Sequence, residues 1–217
     1  MIRRTISIPK TARYFCSAEP ASQFTEVIFV CHGYAQLASD FLNEFNVIAN
    51  DKRLIVAPEG LHRFYHKGGA DKVVASWMTK EDREDDIRDY ISWLDMAAAD
   101  VLLRCRPDVK ITVLGFSQGA ATATRWITSG MTTIHHLILW CGFFPPDLRE
   151  DFSLAETQLT VVTASNDRFI STEEEQRQLT IIKAKHATYK HIRFTGQHVI
   201  DAGTLSELFN AEISKSH

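Results

Sequence analysis

The sequence predicts an α/β fold built on a mostly parallel sheet. Two observations carry this. Several short runs are continuously apolar, as strands buried on both faces must be. Between most of them lie longer runs whose apolar residues recur at helical spacing.

Taken in order, Thr5 to Pro9 and Ala12 to Ser17 are short strand-like runs, expected as an antiparallel edge pair. Glu26 to Cys31 is the first buried strand, followed at once by His32-Gly33-Tyr34-Ala35. A helix is expected from about Ser39 to Asn50, with Phe41, Leu42, Phe45 and Ile48 on one face. Leu54 to Ala57 is the next strand, ended by Pro58. Glu59 to Lys80 then forms the longest irregular stretch, and a loop of that length is usually functional.

A long helix is expected from Glu81, with Thr79 as N-cap and a cluster of acids on the positive end of its dipole. Its buried stripe is Ile87, Tyr90, Ile91, Leu94, Val101 and Leu102. Strands follow at Val109 to Leu114, His136 to Cys141, Leu159 to Ala164 and Tyr189 to Phe194. Ser171-Thr172-Glu173-Glu174 is a capping box opening a helix to about Ala187, and Thr204 opens the last helix. The count is eight strands.

The 217 residues suit one domain spanning 1–217. With 45% hydrophobic and 24% charged residues, the composition is that of a soluble globular protein. A formal net charge of −3 gives no reason to expect nucleic acid as partner. No apolar run is long enough for stable membrane insertion, and the two arginines near the N-terminus have no apolar stretch behind them. Cys16, Cys31, Cys105 and Cys141 are scattered, which reads as reduced core thiols in a cytoplasmic protein.

The chemistry is concentrated in Gly115-Phe116-Ser117-Gln118-Gly119. Strand, G-x-S-x-G and helix in that order are the context of a nucleophile elbow, the alternative being a plain Gly-rich turn with a solvated serine. The chain must turn from strand to helix in one step, so the serine is strained and glycines flank it. The turn lifts the Ser117 hydroxyl above the C-terminal edge of the sheet. It also aims the Gln118 N–H at the place where an oxyanion would form.

A serine hydroxyl needs a base, and the base needs an orienting acid. In α/β-hydrolases these come in the order Ser, Asp or Glu, His. Asp167, just beyond the seventh strand, and His198, just beyond the eighth, fit. Each has rivals. His191 lies within a strand, His186 at a helix C-terminus, and His135 and His136 at the wrong sheet edge. For the acid, Asp147 and Asp151 follow the sixth strand, and Asp201 is close to His198 in sequence. Asp167 has a second reading as a turn-forming residue. The second oxyanion donor is expected from the loop after the third strand, where Tyr34 N–H follows a glycine; His32 is expected to brace that loop.

These segments resemble the phospholipase/carboxylesterase family of α/β-hydrolases, which includes the acyl-protein thioesterases. The elbow with Ala120, the Ser76-Trp77 segment, Gly142-Phe143-Phe144-Pro145, Asn166-Asp167 and Gly196-Gln197-His198 carry the likeness, from about Glu26 onward. Three positions depart from it. The oxyanion loop lacks a second glycine, Cys141 stands where a serine is usual, and Gln197 replaces a glycine. The resemblance implies a small serine esterase acting on an ester or thioester, without cofactor or metal and with no large lid. Leu37, Trp77, Phe143 and Phe144 are expected in the acyl-pocket wall or, alternatively, in the core. A serine peptidase or a non-catalytic binding module on the same scaffold are the competing readings.

Overall fold

The computed structural model describes residues 1–66, 72–148, 152–185 and 188–213. The elements in chain order are β1 (Tyr14–Cys16), β2 (Glu26–Cys31), α1 (Ala38–Asn43), β3 (Arg53–Pro58), β4 (His62–Tyr65), β5 (Val73–Ser76), α2 (Arg83–Leu102), β6 (Lys110–Phe116), α3 (Gln118–Ser129), β7 (His136–Trp140), β8 (Gln158–Ala164), α4 (Thr172–Lys185), β9 (Lys190–Phe194) and α5 (Ala202–Ile213). A seven-stranded sheet runs β1-β3-β2-β6-β7-β8-β9. Only β1 is antiparallel to its neighbour.

The apolar strands are buried on both sides because successive side chains point to opposite faces. Val27, Phe29 and Cys31 of β2 join Leu94, Val101, Trp126 and Ile182 from α2, α3 and α4. Ile28 and Val30 of the same strand join Phe41, Leu205, Leu208 and Phe209 from α1 and α5. The chain crosses from the β3 side of β2 to the β6 side, so β2 and β6 are neighbours at the point where strand order reverses. Loops leaving two such strands diverge and open a crevice above the sheet.

The sheet has seven strands, where the sequence led us to expect eight. Thr5 to Pro9 is not a strand: its residues are exposed, and among the described residues no strand pairs with them. Arg3 pairs instead with Asp82 and Asp85 at the start of α2. The stretch expected to be irregular contains a separate antiparallel hairpin of β4 and β5. Gly68 and Gly69 between them lie outside the described residues, as do His186 and Asp151.

Three helix boundaries also differ from expectation. The first helix is shorter, Ala38–Asn43, and continues in turns. α2 begins after Asp82, which is left-handed (φ 51°), so Thr79 is not its cap. Thr79 N–H instead donates to Asp86 Oδ2 at 3.0 Å, so a first-turn acid holds the chain entering the helix. At α5 the cap is Asp201, whose Oδ1 accepts from Thr204 N–H at 2.8 Å and Thr204 O–H at 2.7 Å. The Ser171 cap on α4 forms as expected, with Glu174 N–H donating to its hydroxyl at 3.2 Å.

Candidate active site

Ser117 sits between β6 and α3 with φ 53° and ψ −116°. Positive φ is strained for any residue with a Cβ, and it aims the side chain away from the helix it begins. The flanking glycines are dictated by contact. β2 and β6 are in register at Cys31 and Gly115. A Cβ on Gly119 would overlap the carbonyl oxygen of Cys31, and one on Gly115 would overlap that of Gly119. The elbow is therefore as tight as the backbone permits.

The loop after β2 lies beside it. Gly33 N–H donates to Gln36 Oε1 at 2.7 Å, and Ala35 N–H to Ala75 O at 2.9 Å. Ala75 N–H returns a bond to Gln36 O at 3.0 Å, so β5 and the loop are laced together. The Tyr34 amide lies between these two occupied ones, and its ring is exposed against Phe64 of β4, centroids 5.5 Å apart. His32 braces the loop as expected. It is fully buried, Gly60 N–H donates to its Nε2 at 2.9 Å, and its Nδ1 faces Gly33 O at 2.7 Å. Burial holds its pKa down at about 4, so the ring is neutral at pH 7.

The Gln118 side chain ties a second segment to the elbow. Its Oε1 accepts from Trp77 N–H and lies 3.2 Å from Ser76 Oγ, while its Nε2 donates to Met78 O. Trp77 packs in the hydrophobic core. It is fully buried, its Nε1–H donates to His32 O at 2.8 Å and its ring stacks on that of His32. Phe144 is also buried, edge-on to Phe152. Leu37 and Phe143 are half-buried.

Asp167 and His198 come together from the ends of β8 and β9. Asp167 Oδ2 lies 2.6 Å from His198 Nδ1, with side-chain exposures of 5% and 10%. The other oxygen, Oδ1, accepts from the amides of Phe169 (2.8 Å) and Ile170 (3.2 Å). Asp167 thus forms its own turn and faces the histidine as well. The acid and histidine loops are joined by Asn166 N–H to Gly196 O at 2.9 Å. The His198 ring lies between Phe116, the residue before Ser117, and Phe169, at 5.0 and 4.7 Å.

The rivals are placed elsewhere. Asp147 receives a two-pronged guanidinium from Arg125 at 2.6 and 3.0 Å, with Arg83 at 3.0 Å. These partners hold its carboxyl below the usual range despite the opposing effect of burial. Asp201 caps α5. His191 bonds Thr163 Oγ1 at 2.9 Å on β9, and His136 bonds Thr160 Oγ1 at 2.9 Å at the far end of β7. His135 Nδ1 accepts from Ile111 N–H at 3.1 Å.

Comparison with known proteins then assigns the family. A model described as "Serine hydrolase (FSH1)" matches residues 26–203, most of the chain and all of the segments above. The chain belongs to the FSH1 serine hydrolase family. No curated protein matches it. Among solved structures, this FSH1 member is similar to acyl-protein thioesterase 2 of Zea mays, at TM-score 0.70 and 15% identity over 95% of this chain and 100% of that one. It is similar to a Dyadobacter fermentans phospholipase/carboxylesterase, at 0.70 and 17% over 95% and 99%. A Mesorhizobium loti carboxylesterase gives 0.71 and 15% over 93% and 94%. At these identities the likeness is one of fold, and that fold is the α/β-hydrolase architecture.

Sequence reasoning missed four features of the FSH1 chain. The β4–β5 hairpin is signalled by two four-residue runs flanking Gly68-Gly69. Arg125, on the face of α3, gives no signal of its pairing with Asp147. Glu59 is buried and held by Arg13 at 2.8 and 3.1 Å, a contact 46 residues distant. Cys141, taken for a core thiol, lies against Asp167 and His198.

Proposed function

We propose that this serine hydrolase cleaves carboxylic esters or thioesters through an acyl-Ser117 intermediate. The observation that carries the reading is the 2.6 Å contact of Asp167 with His198, whose ring lies 5.0 Å from that of Phe116, the residue before a strained serine. With Nδ1–H donated to Asp167, His198 presents Nε2 as a free base. It takes the Ser117 proton as Oγ attacks the acyl carbon. The oxyanion is received by the amides of Tyr34 and Gln118, the latter at the positive end of α3. His198 then passes its proton to the departing alkoxide or thiolate. In the second half it takes a proton from water, hydroxide adds to the acyl carbon, and Ser117 leaves with that proton. Asp167 fixes the tautomer and stabilises the imidazolium throughout.

The exposed Tyr34 ring, set against half-buried Phe64, and the exposed Phe169 beside His198 would offer apolar surface to an acyl chain. Ester and thioester chemistry also accords with the fold relatives, an acyl-protein thioesterase and carboxylesterases. A non-catalytic binding module on this scaffold is the competing reading, and the retained strain at Ser117 disfavours it. The test is a fluorophosphonate probe followed by graded p-nitrophenyl esters and acyl thioesters. Labelling at Ser117, lost in Ser117→Ala together with hydrolysis, is expected. Unlabelled Ser117 in folded protein sinks the proposal, as does a Ser117→Ala variant retaining activity within about tenfold.

A further inference from the structure

Asp167 has a third neighbour that the reaction above does not use. Cys141 lies just past β7 with φ 46°, a left-handed conformation that a residue with a Cβ adopts only when held there. Its N–H is fixed to Val162 O at 2.8 Å. The side chain is buried at 1% exposure. Its Sγ, a carboxylate oxygen of Asp167 and a ring nitrogen of His198 all lie within 4.8 Å of one another.

Such a trio suggests a metal site in outline, but the spacing argues otherwise. Ligands around a tetrahedral zinc at about 2.0–2.3 Å stand well over 3 Å apart. Asp167 and His198 are 2.6 Å apart, the distance of a shared proton.

We infer that Cys141 is a positioning residue, whose S–H donates to the Asp167 carboxylate and holds it in the plane of His198. Two backbone amides fix one carboxylate oxygen. The thiol and Nδ1–H together would complete the other side of the group. A donor must keep its proton, and this one does: burial first, then the facing carboxylate, push the thiol well above its ordinary range. The same shift makes Cys141 a poor nucleophile and a poor target for oxidation. Serine at this position would offer the same donor geometry with an oxygen.

The groups around the pair, titratable, charged and neutral, come from four loops. Cys141 comes from the end of β7. Asp167 and Arg168 follow β8, and the Arg168 guanidinium lies over Phe169. His198 and Asp201 follow β9, and Asp201 is engaged by Thr204. From the elbow come Phe116 and Ser117. Removing the thiol therefore changes one donor on Asp167 and no charge. An undonated carboxylate is more basic and favours the imidazolium more, so the acidic limb of kcat/KM moves to higher pH.

This inference rests on the triad reading, and Ser117 labelling separates the two. Wild type, Cys141→Ser and Cys141→Ala are compared by fluorophosphonate labelling, kcat, KM, the acidic limb and thermal melting. For Cys141→Ala we expect kcat to fall about three- to tenfold, KM to stay within about twofold and the limb to move upward. Cys141→Ser should keep kcat within about threefold, with a limb at or below that of wild type because O–H is the stronger donor. Cys141→Ala with wild-type kcat and an unmoved limb overturns the inference, even if its melting temperature falls, since packing alone explains that loss. Should Cys141→Ala not fold, a Cys141→Ser limb displaced upward overturns it. Unlabelled wild type would instead refute the triad reading itself.

Discussion

Asp147 and Arg125 form a two-pronged ion pair at 2.6 and 3.0 Å, and this pair separates the acid that supports the fold from the acid that faces the histidine. Arg125 is nearly buried, with 8% side-chain exposure, and also donates to Tyr90 Oη at 3.3 Å. α2, α3 and the loop after β7 thus meet at one guanidinium. Asp167, 20 residues further along, is instead held by its own turn and by His198.

The two carboxylates should accordingly fail in different ways. Asp167→Asn keeps the size but offers an N–H₂ group to Nδ1, which favours the wrong tautomer. We expect kcat to fall at least about 100-fold with KM little changed. Asp147→Asn should keep kcat within about threefold and lose about 1–3 kcal/mol of stability, because a buried guanidinium loses its counter-charge. Steady-state kinetics and urea unfolding of both variants check this; the reverse assignment of losses would place the acid after β7.

Gly119 should tolerate no side chain, whereas Gly203 should. Alanine at Gly119 must displace the Cys31 carbonyl of the central strand, at a cost of at least about 2 kcal/mol. It also shifts β2 against the elbow, so hydrolysis should be lost. Alanine at Gly203, in the first turn of α5, meets only Asp201 Oδ1 at 3.4 Å. It should be neutral or stabilising by up to about 1 kcal/mol. Melting curves of the two variants decide it, and equal losses would contradict the close approach.

Stability should decline as pH falls from 7 to 5. His32 and His136 are buried and neutral, with pKa values held down at about 4, chiefly by desolvation. Unfolded histidines titrate near 6.5. Between these values the unfolded chain binds more protons than the folded one, so stability is full above about pH 6.5 and is lost as pH drops toward 4. Each site contributes a loss of about 2 kcal/mol between pH 7 and 5. Urea unfolding at half-unit pH intervals measures the slope. His136→Asn should flatten it by about half, and a wild-type profile level over this range would show that the two rings are not kept neutral.

The amino-acid sequence by itself determined the layered α/β architecture, because strands buried on both faces can only be written as continuous apolar runs. It also marked the elbow, since G-x-S-x-G between strand and helix answers a local steric demand that glycine alone meets. Chain order then pointed to Asp167 and His198. Other features depend on partners distant in sequence. Thr5 to Pro9 has the pattern of a strand but, among the described residues, no neighbour to pair with, and pairing is what makes a strand. Trp77 reads equally well as pocket or core; only the fold buries it and sets it on His32. Asp147 and Asp167 are both acids just past a buried strand. What divides them is Arg125, 22 residues from one, and His198, 31 from the other. Cys141 was a plain thiol until the end of β7 was brought against that of β8. Local sterics and burial are written residue by residue, but the partner of a polar side chain is chosen by chain topology.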